Sequence, residues 1–254
     1  MKVAVAGGTG VVGRRTVEAV GDLGNETVVL ARSTGTDLVT GEGLAAALAG
    51  VGAVIDVTNV AAGRESRVGK FFETTSRNLI RAARQAGVAH IVALSIVGVD
   101  RVAFGYYKGK VRQEAVLRES PIPVSILRAT QFHEFPGQYL ARSGGPFLIV
   151  PRWRTQPVAA REVAAALAGL AVGAPPAVAL SELAGPREEN MADLIRQVLR
   201  ARGSRRLVIE VPVPNTWGKA MATGGGLPGP AATLGTQTFA EWLRSPDGPA
   251  LGSS

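Results

Sequence analysis

The chain has 254 residues, 46% of them hydrophobic, with no cysteine, two histidines, and 28 basic against 20 acidic side chains for a formal charge of +8. That length carries one sizeable core, and the lack of cysteine excludes disulfides, thiolate nucleophiles and cysteine–zinc sites. His90 and His133 stand too far apart to begin a histidine-rich metal cluster, so no metal is expected.

In chain order, the apolar run Lys2-Val3-Ala4-Val5-Ala6 predicts a buried strand that delivers the backbone to Gly7-Gly8-Thr9-Gly10-Val11-Val12-Gly13. Val11–Val20 has the pattern of a helix. Strand, glycine loop and helix in this order form a dinucleotide cradle. Gly7 and Gly10 allow a sharp turn and close approach to a pyrophosphate, Gly13 lets helix and strand pack closely, and the helix N-terminus offers free N–H groups and a positive dipole end. Gly7, Thr9, Gly10, Val11 and Val12 are therefore the expected phosphate-binding residues.

The second strand, Thr27–Ala31, ends at Arg32-Ser33. A site that prefers NAD places a carboxylate here for the ribose hydroxyls. A guanidinium instead forms a charge-assisted pair with a 2′-phosphate, so Arg32, with Ser33 beside it, points to NADP(H). Asp37 lies too far along to be the ribose acid and is expected to cap a turn or touch the adenine edge.

Further strands are expected at Ala53–Val57, His90–Leu94 and Val124–Leu127, and helices near Leu44–Ala49, Phe71–Ala86, Tyr107–Glu119 and Glu162–Ala171. Continuous apolar strands alternating with helices predict a doubly wound parallel sheet, the Rossmann α/β class, as a single domain over 1–254. A small C-terminal substrate lobe is expected from about 133–157 and 181–245. Within it, a strand near Ala177–Leu180 and a helix Met191–Ala201 stand out, while Thr223–Gly235 reads as a flexible loop and Gly248–Ser254 as disordered. Val163–Leu180 is uncharged, but its glycines and prolines make it helix, turn and strand rather than a membrane span. No secretory pattern precedes the first strand, and a cytoplasmic location is expected. Arg200, Arg202, Arg205 and Arg206 cluster without interleaved aromatics, as a solvated helix end does, so neither nucleic acid nor membrane is an expected partner.

Ligands of such sheets bind at the carboxyl ends of the strands. Thr58 and Asn59 follow the third strand and are suited to lie along the cofactor. Ser95 follows the fourth, and Phe132 and His133 follow the fifth, where they would line a substrate pocket. Between Ser95 and the fifth strand, Tyr106 and Lys110 form a Y-x-x-x-K pair sharing one helix face. An adjacent ammonium favours a phenolate, and the same ammonium can hold the nicotinamide ribose. Ser95 would then donate to the substrate carbonyl and Tyr106 deliver the proton. Tyr107, three residues from Lys110, is also within reach, and Lys110 can alternatively pair with Glu114.

Gly7-Gly8-Thr9-Gly10-x-x-Gly13, Ala31-Arg32, Leu94-Ser95-x-x-Gly98-Val99-Asp100, Tyr106-x-x-x-Lys110-x-x-x-Glu114 and Leu127-Arg128-Ala129-Thr130-Gln131-Phe132 together resemble an atypical short-chain dehydrogenase/reductase of the NmrA-like, NAD(P)-binding group, over about residues 1 to 200. The resemblance implies NADP on the glycine loop and Arg32, a C-terminal lobe closing over the nicotinamide, and Ser95, Tyr106 and Lys110 as the catalytic serine, tyrosine and lysine. Members include reductases of quinones or small carbonyl compounds and regulators that sense the cofactor without turnover. The expected function is thus NADPH-dependent hydride transfer to a small carbonyl or quinone. The alternatives are an NADP(H)-sensing regulatory protein and, more weakly, a nucleotide-sugar epimerase or dehydratase.

Overall fold

The computed structural model describes residues 1–60, 64–102, 104–174 and 178–248. The elements follow as β1 (Lys2–Ala6), α1 (Val11–Asp22), β2 (Glu26–Leu30), α2 (Leu44–Ala47), β3 (Ala53–Asp56), α3 (Glu65–Gln85), β4 (His90–Ile96), α4 (Gly105–Arg118), β5 (Val124–Ala129), α5 (Phe135–Ala141), β6 (Phe147–Pro151), β7 (Arg154–Thr155), α6 (Ala160–Val172), β8 (Val178–Ala184), β9 (Glu189–Asn190), α7 (Met191–Ala201), β10 (Leu207–Val211), α8 (Thr216–Ala222), β11 (Thr233–Leu234) and α9 (Phe239–Arg244). They divide into two compact units, the first comprising 1–100, 104–128 and 161–181, the second 101–103, 129–160 and 182–254.

The first unit holds a sheet of order β8-β5-β4-β3-β1-β2. β1 pairs in parallel with both β2 and β3, in registers Val5↔Val29 and Val5↔Ile55, and β3 pairs in parallel with β4. The strands are buried because their residues are: Val3, Ala4, Val5, Ala6, Val54 and Ile55 are fully enclosed. Leu79, Ala83 and Leu117 of α3 and α4 join the core on the sheet. This is an α/β parallel-sheet, Rossmann-type fold with additional C-terminal elements. After β2 the chain crosses back to lay β3 on the other side of β1, so the crevice where the strand order reverses opens at the carboxyl ends of β1 and β3.

α3 begins at Glu65, six residues ahead of the expected start. Its first turns are charged on the solvent side, which hides the period, yet Val68 and Phe72 are buried. α3 and α4 pack closely because Gly109 lets them: a Cβ there would lie 2.7 Å from Val68 Cγ1 and 3.2 Å from Phe72 Cδ2. α6 and β8 occupy the uncharged stretch 163–180, apart from 175–177, which lie outside the described residues. Among the described residues no helix is long and apolar enough to cross a membrane.

In the second unit, β6 and β10 form a two-stranded parallel sheet, β7 and β9 an antiparallel pair, and β11 pairs in parallel with the end of β8. β6 and β10 were not expected, since each is only five residues long and Pro146 and Pro151 bracket β6 like loop residues. The expected flexible loop 223–235 is held in place instead. It contains β11, Arg101 donates to Leu227 O at 2.6 Å, and Gly229 N donates to Glu182 Oε2 at 2.7 Å. Residues 249–254 lie outside the described residues.

Candidate functional site

All of the expected cofactor and catalytic residues fall in the first unit. Gly7 has φ +80°, and a Cβ on it would press against Val57 O at 3.0 Å and Thr58 Cα at 3.1 Å. Gly13 is tighter still, with a Cβ position only 2.1 Å from Gly7 O. Only hydrogen fits there. Gly10 caps α1 without a side chain, and Arg14 N makes the first intrahelical bond to Gly10 O. The N–H groups of Val11, Val12 and Gly13 thus precede the ladder. No acidic residue lies in the first turn to oppose an anion.

Arg32 and Ser33 open a single 3₁₀ turn, Arg32–Thr34, at the end of β2. Thr34 fixes the turn: its hydroxyl accepts from Ala31 N at 3.1 Å and lies 2.8 Å from Val29 O. The Arg32 side chain is exposed and makes no hydrogen bond or ion pair among the described residues. Asp37 caps a turn, accepting from Val39 N at 2.7 Å. Across the crevice, Thr58 N donates to Asp56 Oδ1 at 2.9 Å, while the buried Thr58 hydroxyl has no partner among the described residues.

Tyr106, Lys110 and Ser95 lie on α4 and β4, but each is engaged separately. The Tyr106 hydroxyl donates to Asn59 Oδ1 at 2.5 Å, joining the α4 tyrosine to the loop after β3. Burial pushes its pKa well above the usual phenol range, with the neighbouring Tyr107 adding to the rise. Lys110 is buried. Its ammonium donates to Leu94 O at 3.0 Å and to Gln113 Oε1 at 2.8 Å, and stands 4.4 Å from the Phe72 ring centroid. Phe72 also meets Tyr106 edge-on, so one ring contacts both members of the pair. Burial lowers Lys110 to about 8, partly opposed by the Asp56 and Glu114 charges. The spacing places Tyr106 and Lys110 on one helix, where their polar groups have separate partners, Asn59 for the phenol and Leu94 O with Gln113 for the ammonium.

Ser95 Oγ donates to Glu114 Oε1 at 2.5 Å. Glu114 is the centre of a buried ionic cluster: Arg128 reaches both of its oxygens, at 2.9 and 2.7 Å, Arg118 adds a bond at 2.7 Å, and Arg128 also binds Asp100 at 2.8 Å. Burial pushes the Glu114 carboxyl up, yet the bonds from Arg128 and Ser95 prevail and hold it below the usual range. Glu114 therefore binds arginines rather than hydrogen-bonding Lys110, whose partner is Gln113. Gln113 Nε2 in turn donates to Asp56 Oδ2 at 2.9 Å.

The sequence over residues 7–174 matches the NAD(P)H-binding family. The chain belongs to that family. No curated protein sequence matches it significantly. Among solved structures, it is similar to a nucleoside-diphosphate-sugar epimerase from Staphylococcus aureus (TM-score 0.71, 17% identity, 96% of this chain and 100% of the other). It is also similar to an NADPH-dependent quinone oxidoreductase from Escherichia coli complexed with NADPH (TM-score 0.66, 21% identity, 83% and 78%). A third likeness is to a Citrobacter triphenylmethane reductase complexed with NADP(H) (TM-score 0.66, 18% identity, 89% and 92%).

The residues of this NAD(P)H-binding chain fit such a ligand on the chain's own geometry. The cradle at Gly7 and Gly13 excludes any Cβ, the first amides of α1 precede the helical ladder, the Thr58 hydroxyl is buried without a partner, and the Arg32 guanidinium is uncommitted. Thr9, Gly10, Val11 and Ser33 are exposed along the same loop and turn.

Phe132 and His133 belong to the second unit. Phe132 bridges Val158 through its backbone, and His133 is buried, its Nε2 3.0 Å from Gln237 O and its ring packed 5.5 Å from both Phe239 and Trp242. Trp153 stacks edge-on against Phe135 and Trp217 in the same unit. Among the described residues no three His, Asp or Glu side chains come together to hold a metal. Sequence reasoning assigned no role to Asp56, Gln113, Arg128 or Asp100, although Asp100 and Arg128 stand in the motifs that carry the resemblance. Asp56 has one further signal in its placement, ending an otherwise apolar strand, and Arg128 sits in another such strand.

Proposed function

We propose that this protein is an NADPH-dependent oxidoreductase of the NmrA-like short-chain type, reducing a quinone or a similarly small, apolar acceptor. The observation that carries this reading is the state of its proton donors. The Ser95 hydroxyl is engaged with Glu114, the Lys110 ammonium with Leu94 O, and the Tyr106 phenol is raised rather than lowered in pKa. Such a site suits an acceptor whose reduced oxygen takes its proton from water, as a hydroquinone oxygen can, rather than one that depends on a strong general acid.

The amides at the start of α1 and the Thr58 hydroxyl would hold the pyrophosphate side of the cofactor, and Arg32 with Ser33 the 2′-phosphate. When bound, NADPH supplies the hydride. Asn59, which accepts from the Tyr106 hydroxyl, would orient that ring, and the Asp56–Gln113–Lys110 chain would hold the ammonium in place.

The test is purified protein with NADPH and a panel of quinones and simple aldehydes, following the loss of NADPH absorbance. Quinones should turn over, and Tyr106→Phe should keep kcat within about threefold. Loss of quinone turnover in Tyr106→Phe contradicts the proton argument. Tight NADPH binding without turnover of any acceptor identifies a cofactor-sensing regulatory protein instead.

One observation favours a nucleotide-sugar epimerase: the epimerase fold matches with a higher TM-score, 0.71, than either reductase, at 0.65 to 0.66. Arg32 weighs against it, because in this reading a guanidinium rather than a carboxylate would face the adenosine ribose. Conversion of UDP-glucose to its epimer with added NAD⁺ would establish that reading and displace ours.

A further inference from the structure

We propose that Asp56 and Gln113 are positioning residues for the cofactor: they tie Thr58, on the pyrophosphate side of the proposed site, to Lys110 through a buried chain of fixed donor–acceptor order. The inference rests on the cofactor reading above and concerns the first unit alone. Asp56, the last residue of β3, has no exposed surface, and Thr58, Gln113 and Lys110 are buried with it. One oxygen of Asp56 accepts from Thr58 N at 2.9 Å, the other from Gln113 Nε2 at 2.9 Å. Gln113 Oε1 then accepts from the Lys110 ammonium at 2.8 Å. That ammonium also donates to Leu94 O at 3.0 Å, on the neighbouring strand β4.

Stability alone gives no reason for such a chain, since buried charges often gain nothing over well-packed apolar side chains of similar volume. What the chain fixes is the turn after β3. Asp56 bonds the amide two residues ahead, which sets the backbone that carries Thr58. Thr58 in turn stands against the glycine cradle, because a Cβ on Gly7 would come within 3.1 Å of Thr58 Cα. The Thr58 hydroxyl is buried there with no hydrogen-bond partner among the described residues. A buried hydroxyl left unpaired is costly, and a diphosphate in the cradle supplies acceptors for it.

The order of groups is what the chain requires. Thr58 N at one end and the ammonium at the other can only donate, a carboxylate can only accept, and an amide side chain does one of each. Between two donors, one carboxylate and one amide satisfy every link in either order. Two amides set donor against donor at one link whichever way they turn, and two carboxylates set acceptor against acceptor.

The test is isothermal titration with NADPH of the wild type, Asp56→Asn, Gln113→Glu and the exchange Asp56→Asn/Gln113→Glu, with circular dichroism and thermal midpoints alongside. Each substitution preserves shape, and the exchange also preserves charge. Each single variant should weaken NADPH binding about tenfold, and the exchange should return it to within about threefold of wild type. In a Thr58→Val background, Asp56→Asn should add less than about threefold, because the hydroxyl it positions is gone. The two single variants break the order independently, so either serves if the other folds poorly. Wild-type affinity in the folded single variants, with only the thermal midpoint lowered, overturns the proposal in favour of a purely structural chain. Failure of the exchange to restore affinity overturns it as well, as do additive losses in Thr58→Val/Asp56→Asn. Absence of NADPH binding by the wild type overturns the cofactor site and this inference with it, a result distinct from wild-type binding that the variants leave unchanged.

Discussion

In the proposed function, cofactor choice turns on Arg32. Its side chain stands exposed on a rigid 3₁₀ turn with no internal partner, so binding a 2′-phosphate sacrifices no existing bond. A charge-assisted guanidinium–phosphate pair contributes roughly 1.5–3 kcal/mol. Arg32→Ala should therefore weaken NADPH binding by about 10- to 100-fold and leave NADH within about twofold, as read by fluorescence titration. The tight glycine loop and the place of Arg32 at the end of β2 were legible in the sequence because each depends on its own backbone and position. Gly13 cannot be anything larger with Gly7 O at 2.1 Å from its Cβ position, and that constraint is written in one letter. Glu114 shows the opposite case. As a helix residue four places after Lys110 it suggests a pair with that ammonium, but besides the local Arg118 its partners are Ser95 and Arg128, which lie 19 and 14 residues away and meet it only in the fold.

Among the elements, α4 carries two charged side chains, Lys110 and Glu114, into the core together. Glu114→Gln removes the buried countercharge from Arg128, whose side chain is 8% exposed, and leaves that cation with only the half-exposed Asp100 carboxylate. A loss of about 3 kcal/mol in urea unfolding is expected. Lys110 has the opposite sign. Burial brings its pKa from the usual 10.5 to about 8, so between these values the unfolded chain binds more protons than the folded one. This group's contribution to stability is unfavourable at neutral pH and rises as pH climbs from about 8 toward 10. Above about 10 the raised Tyr106 works the other way, because the unfolded phenol ionises first. Lys110→Met should lack the rise, roughly 2 kcal/mol between pH 8 and 10 relative to wild type by chemical denaturation. A parallel pH profile in the variant contradicts the burial of a charged ammonium. The helix itself was foreseen to within two residues at its start, and so was the Y-x-x-x-K face. What the two side chains would do was not, since Asn59, Leu94 O and Gln113 compete for them and only Gln113 is local.

For the molecule as a whole, the alternation of apolar strands and helices reads directly as a parallel α/β sheet, and residues 1–129 carry that rhythm with little interruption. The second unit was harder to foresee, because its strands are two to five residues long and stabilised by pairs such as Phe147–Leu207 that are 60 residues apart. Local pattern cannot register such a sheet; only its closure makes it visible. The central claim, however, rests on the first unit: a glycine cradle, free helix amides and an uncommitted guanidinium select a dinucleotide bearing an additional phosphate. Isothermal titration of the wild-type protein with NADPH and with NADH tests it most directly. Saturable binding of NADPH at least about tenfold tighter than NADH is predicted. Equal or tighter binding of NADH, or no heat with either, contradicts it.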